Sequence, residues 1–185
     1  QLAGRHNKSP RIECVNNLMQ IGLAYRIWEG DHNNKYPMQV SVTDGGAMEL
    51  IATGNVAACF QVMSNELDTP KILVCPMDTS RIAATNFEND FNNSHISYFA
   101  GVDVTNEMNP RMILSGDDNF EIGDVSVKSG LLEFSTNAPI AWTSARHKYA
   151  GNIGFADGSV QEVTTEGLQN ALRQTGVATN RLAIP

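Results

Sequence analysis

The chain has 185 residues, 42% of them hydrophobic and 18% charged, with a formal net charge of -7. That length suits one domain with a core that stands without staples, and the composition excludes a disordered chain. Its 13 basic residues are scattered, so no phosphate-binding stripe forms and nucleic acid is excluded as a partner. No apolar run approaches the ~18 residues a membrane helix needs.

Residues 1–8 read as a frayed or vector-derived start, and residues 9–185 as a single domain: a helix over 9–30 and an α+β head over 31–185. Ser9-Pro10 is a helix start, with Ser at the cap and Pro in the first turn. Cys14, Leu18, Ile21, Tyr25 and Trp28 recur by four and three, which is one helical face. Val15, Met19, Leu23 and Ile27 form a second apolar flank, so this helix needs more than one thing to pack on. Gly30-Asp31 is expected to end it.

Residues 38–46 look irregular, Ala47–Ala52 suits a helical turn, and 55–67 reads as a helix burying Val56, Cys59, Phe60 and Met63. Residues 71–75 read as a short strand, and 77–94 as a polar excursion. Strands are expected over 96–104 and 112–114, with turns over 106–110 and 115–119. The region 130–134 is weak. The best β signals are 139–145 and 151–164, followed by a helix over 166–174 and a tail, 176–185, of uncertain state. One long helix, a short helix, then mainly antiparallel strands is an α+β order.

Cys14, Cys59 and Cys75 show no CxxC and no Cys/His ligand spacing, which argues against a structural zinc site. They allow at most one internal disulfide. All three pairings stay open, as do reduced, buried thiols; the 59–75 pair closes the shortest loop. His6, His32 and His95 each stand alone in polar surroundings and read as surface residues. No GxSxG, HExxH or P-loop is present.

The stretch RHKYAGNIGFADGSV, 146–160, holds His147 and Asp157-Gly158. Asp-Gly between alternating strands is a two-residue hairpin signal in which both central residues take positive φ. With Lys148–Gly151 read as the preceding turn, His147 and Asp157 fall at opposite ends of one hairpin, ~17–20 Å apart at about 3.3 Å per residue. They then share neither a proton nor a metal, and His147 becomes a loop histidine bonded to nearby backbone.

The His-nine-residues-Asp-Gly pattern resembles the signature of a bacterial family of prepilin-type, type II secretion pseudopilin-like proteins. So does CVNNL at 14–18 with QIGLA at 20–24, matching the segment just after that family's membrane helix. Tyr36-Pro37 resembles its helix exit. SNEL at 64–67, TPK at 69–71 and VCPMD at 74–78 resemble its middle, and GDDN at 116–119 and Arg146-His147 match too. Ser159 stands where His is frequent in that family, and Asp118 where Arg is frequent.

The resemblance implies a pilin-like fold and a non-catalytic subunit of a pilus-like or type II secretion pseudopilus filament. The assembly helix carries Cys14, Leu18, Ile21, Tyr25 and Trp28. The resemblance further implies a leader and an apolar membrane helix before Gln1, a peptidase that removes the leader, and methylation of the new N-terminus. The expected partners are other pilin-like subunits, secretion-assembly proteins and the inner membrane, with the head in the periplasm or outside the cell. Some members of such families hold calcium in a head loop. Asp117, Asp118, Asn119, Glu121 and Asp124 are the candidate oxygen ligands here, beside the reading of an Asp-rich turn. No other cofactor is expected. Two other classes stay open. A secreted glycan- or protein-binding module would use Trp142 or Tyr98 as platforms. A secreted hydrolase would need a deep pocket with a perturbed acid-base pair.

Overall fold

A computed structural model describes residues 9–105 and 109–185 of the chain. The expected frayed start at 1–8, with His6, and residues 106–108 of the expected turn lie outside the described residues.

Pro10 opens helix α1 (Pro10–Asp31), where its missing N–H is no loss. Ser9 holds the cap position, yet its side chain makes no capping bond; its carbonyl accepts the Glu13 N–H at 3.1 Å. Cys14, Leu18, Ile21, Tyr25 and Trp28 are all buried, as the spacing requires. The second flank is not: Met19, Leu23 and Ile27 are 52, 59 and 46% exposed, and Ile12 is 52% exposed. Gly30 lies inside the helix. The chain turns away at Asn33 and Asn34, both at positive φ, while the half-buried His32 stacks on Trp28 with ring centres 3.5 Å apart.

Three short helices follow: α2 (Met48–Ile51), α3 (Val56–Val62) and α4 (Ser64–Leu67). The expected single helix over 55–67 is split at Met63, and Asn55 caps its first half by accepting the Ala58 N–H. Residues 70–73 are a 3-10 turn rather than a strand. Pro70 presets the backbone there, and the Thr69 hydroxyl accepts the Lys71 N–H.

The strands are β1 (Tyr98–Gly101), β2 (Ile113–Asp117), β3 (Phe120–Ile122), β4 (Val125–Ser126), β5 (Gly130–Ser135), β6 (Ile140–Trp142), β7 (Ala150–Phe155), β8 (Val160–Thr164) and β9 (Thr179–Ile184), with helix α5 (Thr165–Gln174) between the last two. Six form an antiparallel sheet in the order β5-β9-β1-β2-β7-β8, and three a small one, β4-β3-β6. Strand alternation sorts the large sheet's side chains between two cores. Tyr98, Ala100, Leu114 and Ala183 face α1 and the short helices; Phe99, Ile113, Ile153, Phe155, Leu182 and Ile184 face α5 and the small sheet. The architecture is therefore α+β with a mainly antiparallel sheet.

Two expectations about strands are corrected, and the tail, left open, takes a defined state. The expected turn at 115–119 is largely strand, because β2 continues to Asp117. The tail 176–185 contributes β9, which lies inside the sheet between β5 and β1. The segments 139–145 and 151–156 are not paired: β6 belongs to the small sheet and β7 to the large one. At Asp157-Gly158 the hairpin β7–β8 does form, but through Ala156, Asp157 and Gly158, with Gly158 alone at positive φ and Phe155 N–H bonded to the Ser159 carbonyl. That is a tight turn closed by a left-handed glycine rather than a two-residue loop.

Candidate functional site

Paired residues on antiparallel strands carry their side chains on the same face. Tyr98 pairs with Asp117, Ile153 with Gly116, and Asn152 with Glu162. Tyr98, Asp117, Asn152 and Glu162 thus form a polar row across β1, β2, β7 and β8, on the side facing α1. The first turns of the helix answer it. Arg11 pairs with Glu162 at 2.7 Å and donates to the His147 carbonyl at 3.1 Å, and Asn17 Nδ2 donates to the Tyr98 hydroxyl at 3.3 Å. Burial, and then the nearby Asp117 charge, push the Tyr98 hydroxyl well above its ordinary range.

His147 enters this row. Arg146, Lys148 and Tyr149 all have positive φ, at 61, 54 and 63°. Three non-glycine residues in the left-handed region within four positions is a strained arrangement. It buries His147 while leaving Tyr149 67% exposed. His147 Nε2 lies 3.3 Å from Asp117 Oδ2 and 3.5 Å from Cys75 Sγ. Cys75 is disulfide-bonded to Cys14 of α1, and Cys59 is free, its thiol 3.3 Å from the Tyr25 hydroxyl. Asp117 Oδ2 also accepts from Asn152, at 2.7 Å from the backbone N–H and 2.9 Å from Nδ2. Asp117 Oδ1, His147 Nδ1 and Asn152 Oδ1 have no hydrogen-bond partner, although all are buried. His147 does sit in a loop, but its ring faces side chains rather than nearby backbone. Its ring closes a buried contact among two strands and a disulfide.

Beside it lies an ion-pair network. Arg146 reaches Asp78 at 2.7 Å, bonds Asp118 and donates to the Ser97 carbonyl at 2.9 Å. Arg81 reaches Asp118 at 2.7 Å and Asp78 at 3.0 Å. Burial raises the Asp78 carboxyl, but the Ser80 hydroxyl, the Arg146 charge and the Ser97 hydroxyl outweigh it and hold it at about 2. Asp118 goes the other way: burial pushes it up against the pull of both guanidiniums. Asp78, Arg81, Asp118 and Arg146 border an open cleft of about 360 Å³. Chemically the network clamps the 78–81 loop, the end of β2 and the 145–149 loop together; Arg81 is committed to two carboxylates and Arg146 to three, the third being Asp117 at 3.9 Å.

The other expected site residues are dispersed. Asp157 sits on the exposed hairpin, its Oδ1 accepting the Ser159 N–H and hydroxyl at 2.8 and 2.6 Å. His147 and Asp157 share no contact. The calcium set does not come together either. Asp117 faces His147 and Asn152, Asp118 faces the two arginines, and Asn119 Nδ2 donates to the Ala145 carbonyl. Asp124 is exposed in the β3–β4 turn. The cause is β2, which carries Asp117 into the sheet instead of a turn. Trp142 and Tyr98 are 1 and 0% exposed, so neither is a glycan platform.

Asp78, Arg81 and Asn152 are site residues that chain-order reading missed. The signal for Asn152 is a polar residue in an otherwise apolar strand segment. For Asp78 and Arg81 it is only their place after Cys75-Pro76. No protein-family model, curated protein or solved structure matches the chain.

Proposed function

We propose that the chain is a non-catalytic structural subunit of a pilus-like or type II secretion pseudopilus filament, with a pilin-like fold, assembling through α1. The carrying observation is the outer flank of that helix. Ile12, Met19, Leu23 and Ile27 are about half exposed, while the opposite face is fully buried in the head. A helix with one face in its own core and an apolar flank left bare is built to be covered by another element. Fully burying each such side chain contributes about 1.5–3 kcal/mol, so a repeated contact along a filament becomes favourable. The expected partners are further pilin-like subunits and secretion-assembly proteins. The head then lies in the periplasm or outside the cell, tethered through the inner membrane.

The polar row fits a structural role. The disulfide fastens the start of α1 to the loop after residues 70–73, and the Arg11–Glu162 and His147–Asp117 contacts fasten α1 and the 145–149 loop to the sheet, so load on the helix passes into the head. Met19→Glu with Leu23→Glu is the test. The head keeps its melting temperature within a few degrees, and cross-linking between copies in cells is lost. Undiminished assembly would overturn the reading.

A further inference from the structure

Apart from its place in the fold, the cluster beneath α1 has the chemistry of a metal site. We propose that, when the disulfide is opened, Cys14, Cys75, His147 and Asp117 bind one zinc ion. The inference does not rest on the filament reading.

The geometry carries it. The Cys14 and Cys75 sulfurs and a His147 ring nitrogen lie within 4.8 Å of one another, all buried. With Zn–S near 2.3 Å and Zn–N near 2.0–2.1 Å, a tetrahedral site needs an S···N edge of about 3.5 Å. Cys75 Sγ to His147 Nε2 is 3.5 Å. The matching N···O edge, for a carboxylate near 2.0 Å, is about 3.3 Å. His147 Nε2 to Asp117 Oδ2 is 3.3 Å. Two tetrahedral edges are already in place; the sulfurs must part to about 3.8 Å, and the Asp117 carboxylate, which lies outside the 4.8 Å cluster of the two sulfurs and the ring nitrogen, must rotate in towards them.

The outer shell is also present. Asn152 holds the Asp117 carboxylate through two N–H bonds, which fixes a ligand's orientation. His147 Nδ1 and Asp117 Oδ1, buried and without hydrogen bonds, the latter with Arg146 no nearer than 3.9 Å, mark a site with more polar capacity than its oxidised form uses. His147 also borders a surface cleft of about 220 Å³, which it shares with Pro10, Arg11, Met77 and Arg146.

The chemistry balances. A dithiol reductant delivers two electrons and two protons to the Cys14–Cys75 bond and leaves as its own disulfide. The divalent ion then displaces the two thiol protons to give two metal-bound thiolates. A small-molecule disulfide takes two electrons from those thiolates, leaves as two thiols, re-forms the Cys14–Cys75 bond and expels the ion. The same side chains thus serve a locked state under oxidising conditions and a metal-bound state under reducing ones.

The test is titration with Co²⁺, then Zn²⁺, of the Cys59→Ala protein with the disulfide closed and after reduction. The reduced form gives thiolate-to-cobalt and tetrahedral d–d absorption at one equivalent, zinc bleaches it, and zinc raises the melting temperature. The closed form gives none of this. His147→Ala weakens cobalt binding at least tenfold. If that variant does not fold, Cys14→Ser carries the same expectation. Absence of these bands in reduced protein, their presence in the closed form, or indifference to both substitutions overturns the proposal. So does a reduced protein that unfolds and is not restored by zinc.

Discussion

Arg146 and Asp78 meet at 2.7 Å with only 7 and 3% of their side chains exposed, although they lie 68 positions apart in the chain. Breaking a buried pair leaves a charge without a partner, which costs far more than the pair's net contribution. Arg146→Ala leaves Asp78 and Asp118 to share Arg81, and it is expected to destabilise the fold by about 1.5–3 kcal/mol. The control is Arg181 with Asp103, an ion pair whose side chains are 37 and 42% exposed. Asp103→Asn should cost under about 1 kcal/mol. Urea midpoints of the two variants decide the ranking.

Acid sensitivity follows from Asp78. Its folded-state carboxyl is held at about 2, below the ordinary 3.8. On acidification the unfolded chain therefore takes up the proton first. The stability this group contributes is complete above about pH 4 and is lost as pH falls towards 2. Asp118, pushed upward, works in the opposite sense. Asp78→Asn should flatten the fall in stability between about pH 4 and 2. An unchanged slope would remove Asp78 from the cause.

Thiol titration separates the three cysteines. Burial pushes the Cys59 thiol up to about 12, and Cys14 and Cys75 are paired. A thiol reagent should find no reactive group in the native protein, one in denaturant, and three in denaturant after reduction. Reduction without metal should cost about 2–4 kcal/mol, read from the urea midpoint.

Two glycines should respond in opposite ways. A Cβ on Gly151 would fall 2.5 Å from the Trp142 ring, whereas one on Gly30 meets nothing within 4 Å. Gly151→Ala must displace the ring and should cost about 1–3 kcal/mol. Gly30→Ala, in an exposed helical turn, should add about 0.5–1 kcal/mol. Melting curves of both variants test this.

The elements that could be read from the chain are those with local causes. The buried face of α1 follows from the spacing of Cys14 to Trp28, and α5 and the β7–β8 hairpin follow from periodicity and turn chemistry. What was hidden depends on distant partners. Thr179–Ile184 mixes polar and apolar residues, and it becomes β9 because β5 and β1 pair with it on either side. Asp117 looks like part of a turn until Asn152 and Arg146, remote in sequence, supply its partners. His147 is drawn inward by left-handed backbone at Arg146, Lys148 and Tyr149, residue types that do not signal that conformation. The Cys14–Cys75 pairing likewise needs α1 laid across the sheet before it can be seen.

The filament assignment is tested most directly by the intact mass of the complete gene product, expressed with and without a prepilin peptidase. A filament subunit loses a short leader and gains a methyl group on its new N-terminus. A product left uncut, or cut by an ordinary signal peptidase and released, would contradict that assignment.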